Sequence, residues 1–147
     1  VQFDYENGAC CVSQSRHQPN TKSNVSETIY GSKGTAKIGK IEDLDGKRVW
    51  RFRGKSPGGH AHEWVDLMND FAAGKRPNEA YYGAMSTLTA IMGRMATYSG
   101  KLVTREQALN SQVDLMPEKL AWDALPKVLP GKDGMYPCAI PGVSKPF

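Results

Sequence analysis

The sequence predicts an α+β protein with a largely antiparallel, open-faced sheet and helices packed on one face. Two observations carry this. Up to about residue 55, short alternating runs are separated by the tight-turn signals Asn7-Gly8, Gly31-Ser32-Lys33-Gly34 and Asp45-Gly46. From Trp64 onward the apolar residues recur at helical spacing. A chain of 147 residues, 39% hydrophobic and 23% charged, suits one ordinary domain and is short for two. The expected organisation is therefore a single domain over 1–147, strand-rich over 1–55, helical over 56–111 and proline-rich over 112–147.

Val1 to Tyr5 alternates apolar and polar side chains, Asn7-Gly8 is a favoured two-residue hairpin turn, and Ala9 to Arg16 returns. That turn pairs Tyr5 with Cys10 and Phe3 with Val12 on one face, leaving Asp4, Cys11, Ser13 and Ser15 on a small polar one. A loop over His17 to Ser23, carrying Pro19-Asn20, precedes the strand Glu27-Thr28-Ile29-Tyr30. Two further turns then lead into Thr35 to Gly39 and Arg48 to Arg53, for five or six strands in all. After Ser56-Pro57-Gly58-Gly59, the residues Trp64, Leu67, Met68, Phe71 and Ala72 make one helical face that Gly74 ends. Asn78 caps a second helix running to about Tyr98. Its stripe of Tyr81, Ala84, Leu88, Ile91, Met95 and Tyr98, with Arg94 its only charge after Ala80, predicts a buried helix whose small residues allow close packing. Gly100 stops it, and Thr104-Arg105-Glu106-Gln107 is a capping box opening a short helix through Leu109. Beyond Met116, six prolines (Pro117, Pro126, Pro130, Pro137, Pro141 and Pro146) preclude long regular structure. This tail is expected to wrap the surface, pinned by Leu115, Trp122, Leu125 and Phe147.

The formal charge of +4 is unevenly spread, with residues 16–55 holding ten basic and four acidic side chains. Within them, Lys47-Arg48-Val49-Trp50-Arg51-Phe52-Arg53 mixes bases with aromatics, as a nucleic-acid groove does. The plainer reading is a half-buried strand with Trp50 and Phe52 facing a core and Arg51 and Arg53 facing water, so no nucleic-acid partner is expected. No uncharged run reaches the ~20 residues that cross a bilayer, so no membrane partner is expected either. Cys10, Cys11 and Cys138 are odd in number and lack a C-x-x-C spacing, which argues against a disulfide framework. The first residues, Val1-Gln2-Phe3-Asp4, include no initiator Met or apolar signal core, and the chain is expected to be a piece of a longer protein.

Few motifs bear chemistry. Gly34-Thr35-Ala36-Lys37-Ile38-Gly39-Lys40-Ile41 nearly spells a phosphate-binding loop, but ends in Ile41 where a Ser or Thr holds magnesium and leads to a hairpin instead of a helix. No G-x-G-x-x-G or H-E-x-x-H occurs. His60-Ala61-His62-Glu63 offers imidazoles and a carboxylate at a helix entrance without a third ligand at diagnostic spacing, so no metal is expected. Gln14-Ser15-Arg16-His17, leaving the second strand, is the better candidate: a guanidinium and an imidazole at a strand end can orient oxygens or move a proton. A solvated strand end is the plainer alternative. Cys138 has no basic neighbour to activate it.

Several segments carry a resemblance. Ser23-Asn24-Val25-Ser26-Glu27 followed by Ile29-Tyr30-Gly31-Ser32-Lys33-Gly34-Thr35-Ala36 is similar to a stretch of the glucose-fructose oxidoreductase and inositol dehydrogenase-like (Gfo/Idh/MocA) family. So are Gly74-Lys75-Arg76-Pro77-Asn78-Glu79-Ala80, Ser86 to Ala96, Gln107-Ala108-Leu109-Asn110-Ser111 and Ile140-Pro141-Gly142-Val143-Ser144-Lys145. The resemblance implies the second domain of a two-domain enzyme, of the dihydrodipicolinate-reductase-like C-terminal type. An N-terminal Rossmann domain would hold NAD or NADP, and this domain would shape a sugar or polyol pocket and build a homo-oligomer. The family's Gly-rich loop, Glu-Lys-Pro lysine and D-x-x-x-H helix have no counterpart here, so this chain alone is expected to bind no cofactor and to be inactive. One branch of the family cleaves glycosidic bonds through transient NAD chemistry, and that alternative stays open beside a non-enzymatic interaction or nucleic-acid-binding module. Because the family's substrate sits between the domains, Arg16, His17 and His62 are the expected substrate-binding residues, with His60 a weaker one.

Overall fold

The computed structural model describes residues 1–55 and 58–145, so Ser56, Pro57, Pro146 and the expected tail anchor Phe147 lie outside the described residues. Helices and antiparallel sheets are both present, which makes the fold α+β in the coarse sense. The chain divides into two compact units, Arg16–Pro77 and Val1–Ser15 with Asn78–Phe147.

The first unit holds strands β3 (Thr28–Gly31), β4 (Gly34–Lys37), β5 (Lys40–Asp43) and β6 (Arg48–Arg51), followed by helix α1 (Gly59–Ala72). The strands form a meander in the order β3-β4-β5-β6. Two-residue turns set the register: Gly31 opposes Gly34 across Ser32-Lys33, and Lys37 opposes Lys40 across Ile38-Gly39. At Asp45-Gly46 the Asp43 carboxylate accepts from the Asp45 and Lys47 amides at 3.1 and 2.8 Å. Gly34 is required at its turn: its φ is +150°, and a Cβ there would stand 2.1 Å from the Glu42 carbonyl oxygen. The near-phosphate-loop from Gly34 to Ile41 is the β4–β5 hairpin, so no helix N-terminus follows it.

The register separates two faces. Ile29, Ala36, Ile41 and Trp50 lie opposite one another in successive strands and form one apolar row. Thr28, Lys37, Lys40 and Arg51, with Tyr30, Thr35, Glu42 and Arg48, form the polar face. Alternation thus holds as read from the sequence, but the expected core over Trp50 and Phe52 does not. Each is 49% exposed and Ile29 is 70% exposed. Helix α1 likewise buries no residue, leaving Trp64, Met68 and Phe71 exposed. Its C-terminus is locally closed instead: Gly74 at φ +72° donates to the Phe71 carbonyl, and Lys75 to that of Asp70, a Schellman end.

The second unit holds strands β1 (Gln2–Asp4) and β2 (Cys10–Val12) and helices α2 (Ala80–Ser99) and α3 (Arg105–Leu109). The first hairpin corrects the expected register. Its loop has three residues, with the Gly8 amide donating to the Tyr5 carbonyl and the Tyr5 amide to that of Ala9. Phe3 therefore opposes Cys11, Asp4 opposes Cys10 and Gln2 opposes Val12. One extra loop residue moves Cys10 and Val12 to the face of Asp4, because side chains alternate with period two. Gly8, at φ +82°, supplies the left-handed residue that such a loop requires.

Helix α2 starts one residue later than expected. Glu79 is the cap position, and the Asn78 carbonyl oxygen Oδ1 accepts from the Ala80 amide at 3.1 Å. Its predicted burial is limited to Gly93 and Ser99, while Tyr81, Tyr82, Ile91 and Tyr98 stay exposed. Gly93 admits the Phe3 ring, whose Cζ would lie 3.0 Å from a Cβ at that position. Gly100 ends the helix at φ +67°, and the capping box of α3 is complete, Thr104 Oγ1 accepting from the Gln107 amide and Gln107 Oε1 from that of Thr104.

The tail is anchored differently from the expectation. Trp122 is fully exposed, and Leu115 and Leu125 are also open to solvent. The backbone holds it instead: the Gly142 amide donates to the Ser99 carbonyl at 2.6 Å, beside Pro141, which packs where a Gly100 side chain would stand. Asp114 and Lys127 add an ion pair within the tail. The loss of amide donors at six prolines explains why carbonyl-directed capping of a helix end is the available fixing point.

Candidate functional sites

The predicted site residues lie in the sheet-bearing unit. Arg16 follows the first hairpin's return and closes the loop behind it: its Nη2 donates to the Lys22 carbonyl at 3.0 Å. That loop turns at Asn20, whose φ of +59° is left-handed, with Thr21 Oγ1 donating to the Gln18 carbonyl. His17 is exposed on the same loop. His62 sits in the first turn of α1, its Nε2 3.9 Å from Asp66 Oδ1, and His60 Nδ1 is 3.8 Å from Glu63 Oε1. Both separations exceed hydrogen-bonding distance. Among the described residues no hydrogen bond or ion pair joins Arg16, His17 and His62 to one another. Each can offer a polar group to a ligand, and Arg16 retains guanidinium donors beyond the one given to Lys22. No group of three or more His, Cys, Asp or Glu side chains suited to a metal occurs among the described residues.

Two concave surfaces are present, of which only the basic and aromatic run along β6 was singled out in the sequence. One, of about 1,070 Å³, belongs to the unit containing β1 and α2. Phe3, Tyr5, Met92 and Val103 give it an apolar floor, while Asp4, Thr97, Lys101 and Arg105 bring polar groups to it. Gly93 and Ala96 on one turn of α2 were the available signal: side chains that small let β1 approach the helix, and the groove follows from that approach. The other, of about 860 Å³, runs along β6 from Arg48 to Gly54.

Hydrogen bonding from Lys40, at 2.7 Å, holds the Glu42 carboxyl below the usual carboxylate range. Lys127, helped by the Met116 amide, does the same for Asp114. Desolvation, followed by the Asp4 carboxylate opposite it, pushes the Cys10 thiol up, away from thiolate character.

No helix among the described residues is long and apolar enough to cross a membrane. Compared with family models, with curated proteins and with solved structures, the chain matches none.

Proposed function

We propose that the chain is the substrate-binding and oligomerisation domain of an NAD(P)-dependent oxidoreductase acting on a sugar, polyol or related hydroxyl compound. In this reading its fold is of the dihydrodipicolinate-reductase-like C-terminal type, a member of the family its segments resemble. The observation that carries the reading is the open antiparallel meander β3-β4-β5-β6 with faces of opposite character, one a continuous apolar row left uncovered. An isolated sheet has no reason to keep such a row unless another layer or subunit covers it. The cofactor is held by a Rossmann domain, since the chain has no Gly-rich turn of its own. Arg16 binds and orients substrate oxygens, and His17 or His62 hydrogen-bonds hydroxyls or assists proton transfer.

The reading frame upstream of Val1 tests the assignment first, and should encode a strand, a Gly-rich turn and a helix. Its absence would remove the main support. In the two-domain enzyme, Arg16→Ala and His17→Ala should each lower kcat/KM about tenfold or more while leaving NAD affinity unchanged. The Arg16 bond to the Lys22 carbonyl makes Arg16→Lys the necessary companion, because it keeps a donor for the loop and loses the planar fork for substrate. Unaltered turnover in all three variants would take these residues out of the site.

A further inference from the structure

We propose that the outer edge of β6 is a strand-addition site for an extended acidic peptide segment whose alternate residues are apolar. This goes beyond the oxidoreductase reading and does not depend on it. Among the described residues β6 pairs with β5 alone and is the last strand in its sheet. Ile41 opposes Trp50 and Lys40 opposes Arg51, and the Phe52 amide donates inward to the Gly39 carbonyl at 2.9 Å. Backbone groups alternate in direction along a strand, so Trp50 and Phe52 spend theirs on β5 while the Arg51 amide and carbonyl point to the open side.

The side chains specify what can dock there. Trp50 lies on the apolar face of the sheet and Arg51 on the polar face, and the same alternation carried past the end of the strand sets Phe52 with Trp50 and Arg53 with Arg51. From Lys47 to Lys55 there are five basic residues and no acidic one. Among the described residues, Arg48, Arg51 and Arg53 make no ion pair and no side-chain hydrogen bond. An added strand satisfies all of this at once, its carboxylates opposite the arginines on one face and its apolar residues beside the aromatics on the other. A single-stranded nucleic acid fits less well, because bases stacked on Trp50 and Phe52 would leave the phosphates on the wrong side of the strand from Arg51 and Arg53. Edge charges also protect a sheet from unwanted pairing. Protection alone calls for no groove along the strand and no exposed Trp50 and Phe52 on its other face.

The test titrates the full chain with a fluorescein-labelled peptide alternating Glu and Val, read by anisotropy. Binding should weaken as salt rises and fall about tenfold in the double variant Arg51→Glu/Arg53→Glu. That variant threatens the fold little, since Lys40 opposite Arg51 gains a carboxylate partner. The Arg51 amide should become protected from hydrogen exchange in the complex, and N-methylation of alternate peptide amides should abolish binding. Equal binding of a Lys–Val peptide, binding that leaves the Arg51 amide unprotected, or no binding of the Glu–Val peptide would each overturn the proposal. So would capture of oligodeoxythymidine in place of the peptide.

Discussion

The two units solve the problem of holding a chain in place by different means. In Arg16–Pro77 no described residue is buried, and order comes from the β-ladder, its turns and the closed end of α1. In the unit built on α2, the buried residues among those described are Gly93, Ser99 and Ala108, all small, and Gly93 and Ser99 sit where chain segments approach one another. The difference teaches that backbone hydrogen bonding and turn chemistry can define a sheet before anything covers it, whereas the contacts around α2 depend on the absence of side-chain volume. It also explains why the sheet's apolar row is the more conspicuous unfinished surface. A row of Ile29, Ile41 and Trp50 gains from burial, at roughly 25 cal/mol per Å² of apolar area, only when a second layer arrives.

The largest effect that separates the units is expected from Gly34→Ala. Its Cβ would collide with the Glu42 carbonyl, so the β4–β5 pairing must open, at a cost of about 3 kcal/mol or more. Hydrogen exchange should show the amides of Thr35 and Glu42, which face each other across that pairing, losing protection while those of α2 keep theirs. Protection lost equally in both units would contradict the contrast. A smaller effect, about 2 kcal/mol, is expected from Gly100→Val, which puts a β-branched residue in the left-handed region and crowds Pro141. Here the Gly142 amide should exchange faster with the sheet untouched. If Gly142 exchange is unchanged, the tail is not held at the end of α2.

Ser99→Ala is gentler still. The buried hydroxyl donates to the Met95 carbonyl at 2.7 Å and accepts from the Lys101 amide, and removing it should cost about 1 kcal/mol by urea denaturation. The smallest effect concerns acid. Glu42 in the sheet and Asp114 in the tail both have folded pKa values below their ordinary 4.5 and 3.8. Their pairs with Lys40 and Lys127 therefore stabilise the protein above those values, and the contribution is lost as pH falls through the depressed folded ones. Asp114 is solvent-exposed and Glu42 only half-buried, so the change should be slight and should shrink in high salt. Lys40→Ala should remove the sheet's share alone, and acid sensitivity unchanged in that variant would show that the pair contributes nothing.

Local signals were the legible part of this sequence. Gly100, the Thr104–Gln107 box, the Gly31–Gly34 and Asp45-Gly46 turns and the face alternation of β6 are each dictated within a few residues, by positive φ, capping geometry or period two. The first hairpin shows the limit of that reading. Asn7-Gly8 announces a turn, but whether Glu6 belongs to the loop depends on which bonds close around Tyr5, and one residue decides the facing of Cys10 and Val12. Apolar periodicity overestimated burial for α1, α2 and the tail, because it reports which face prefers to be covered and not whether something covers it. Arg16 could be picked out by type, whereas its bond to the Lys22 carbonyl depends on the shape of a loop. The groove beside Phe3 needed the meeting of β1 with α2, a non-local event that only Gly93 and Ala96 foreshadow.

The proposed role as a substrate and assembly domain makes one further demand, that the chain should show no measurable NAD or NADP binding by calorimetry. Tight stoichiometric binding would place the cofactor site on this chain and reverse the division of labour between domains.

In the proposed role, the apolar row of the β3–β6 sheet is covered by a second subunit. Light scattering on the chain at high micromolar concentration, paired with the same measurement on Ile41→Lys/Trp50→Lys, tests it most directly. The account predicts a dimer or higher homo-oligomer that the double variant disperses, because charges on the central row cannot be buried against a second layer. A clean monomer at that concentration, or an oligomer that the double variant leaves intact, would contradict it.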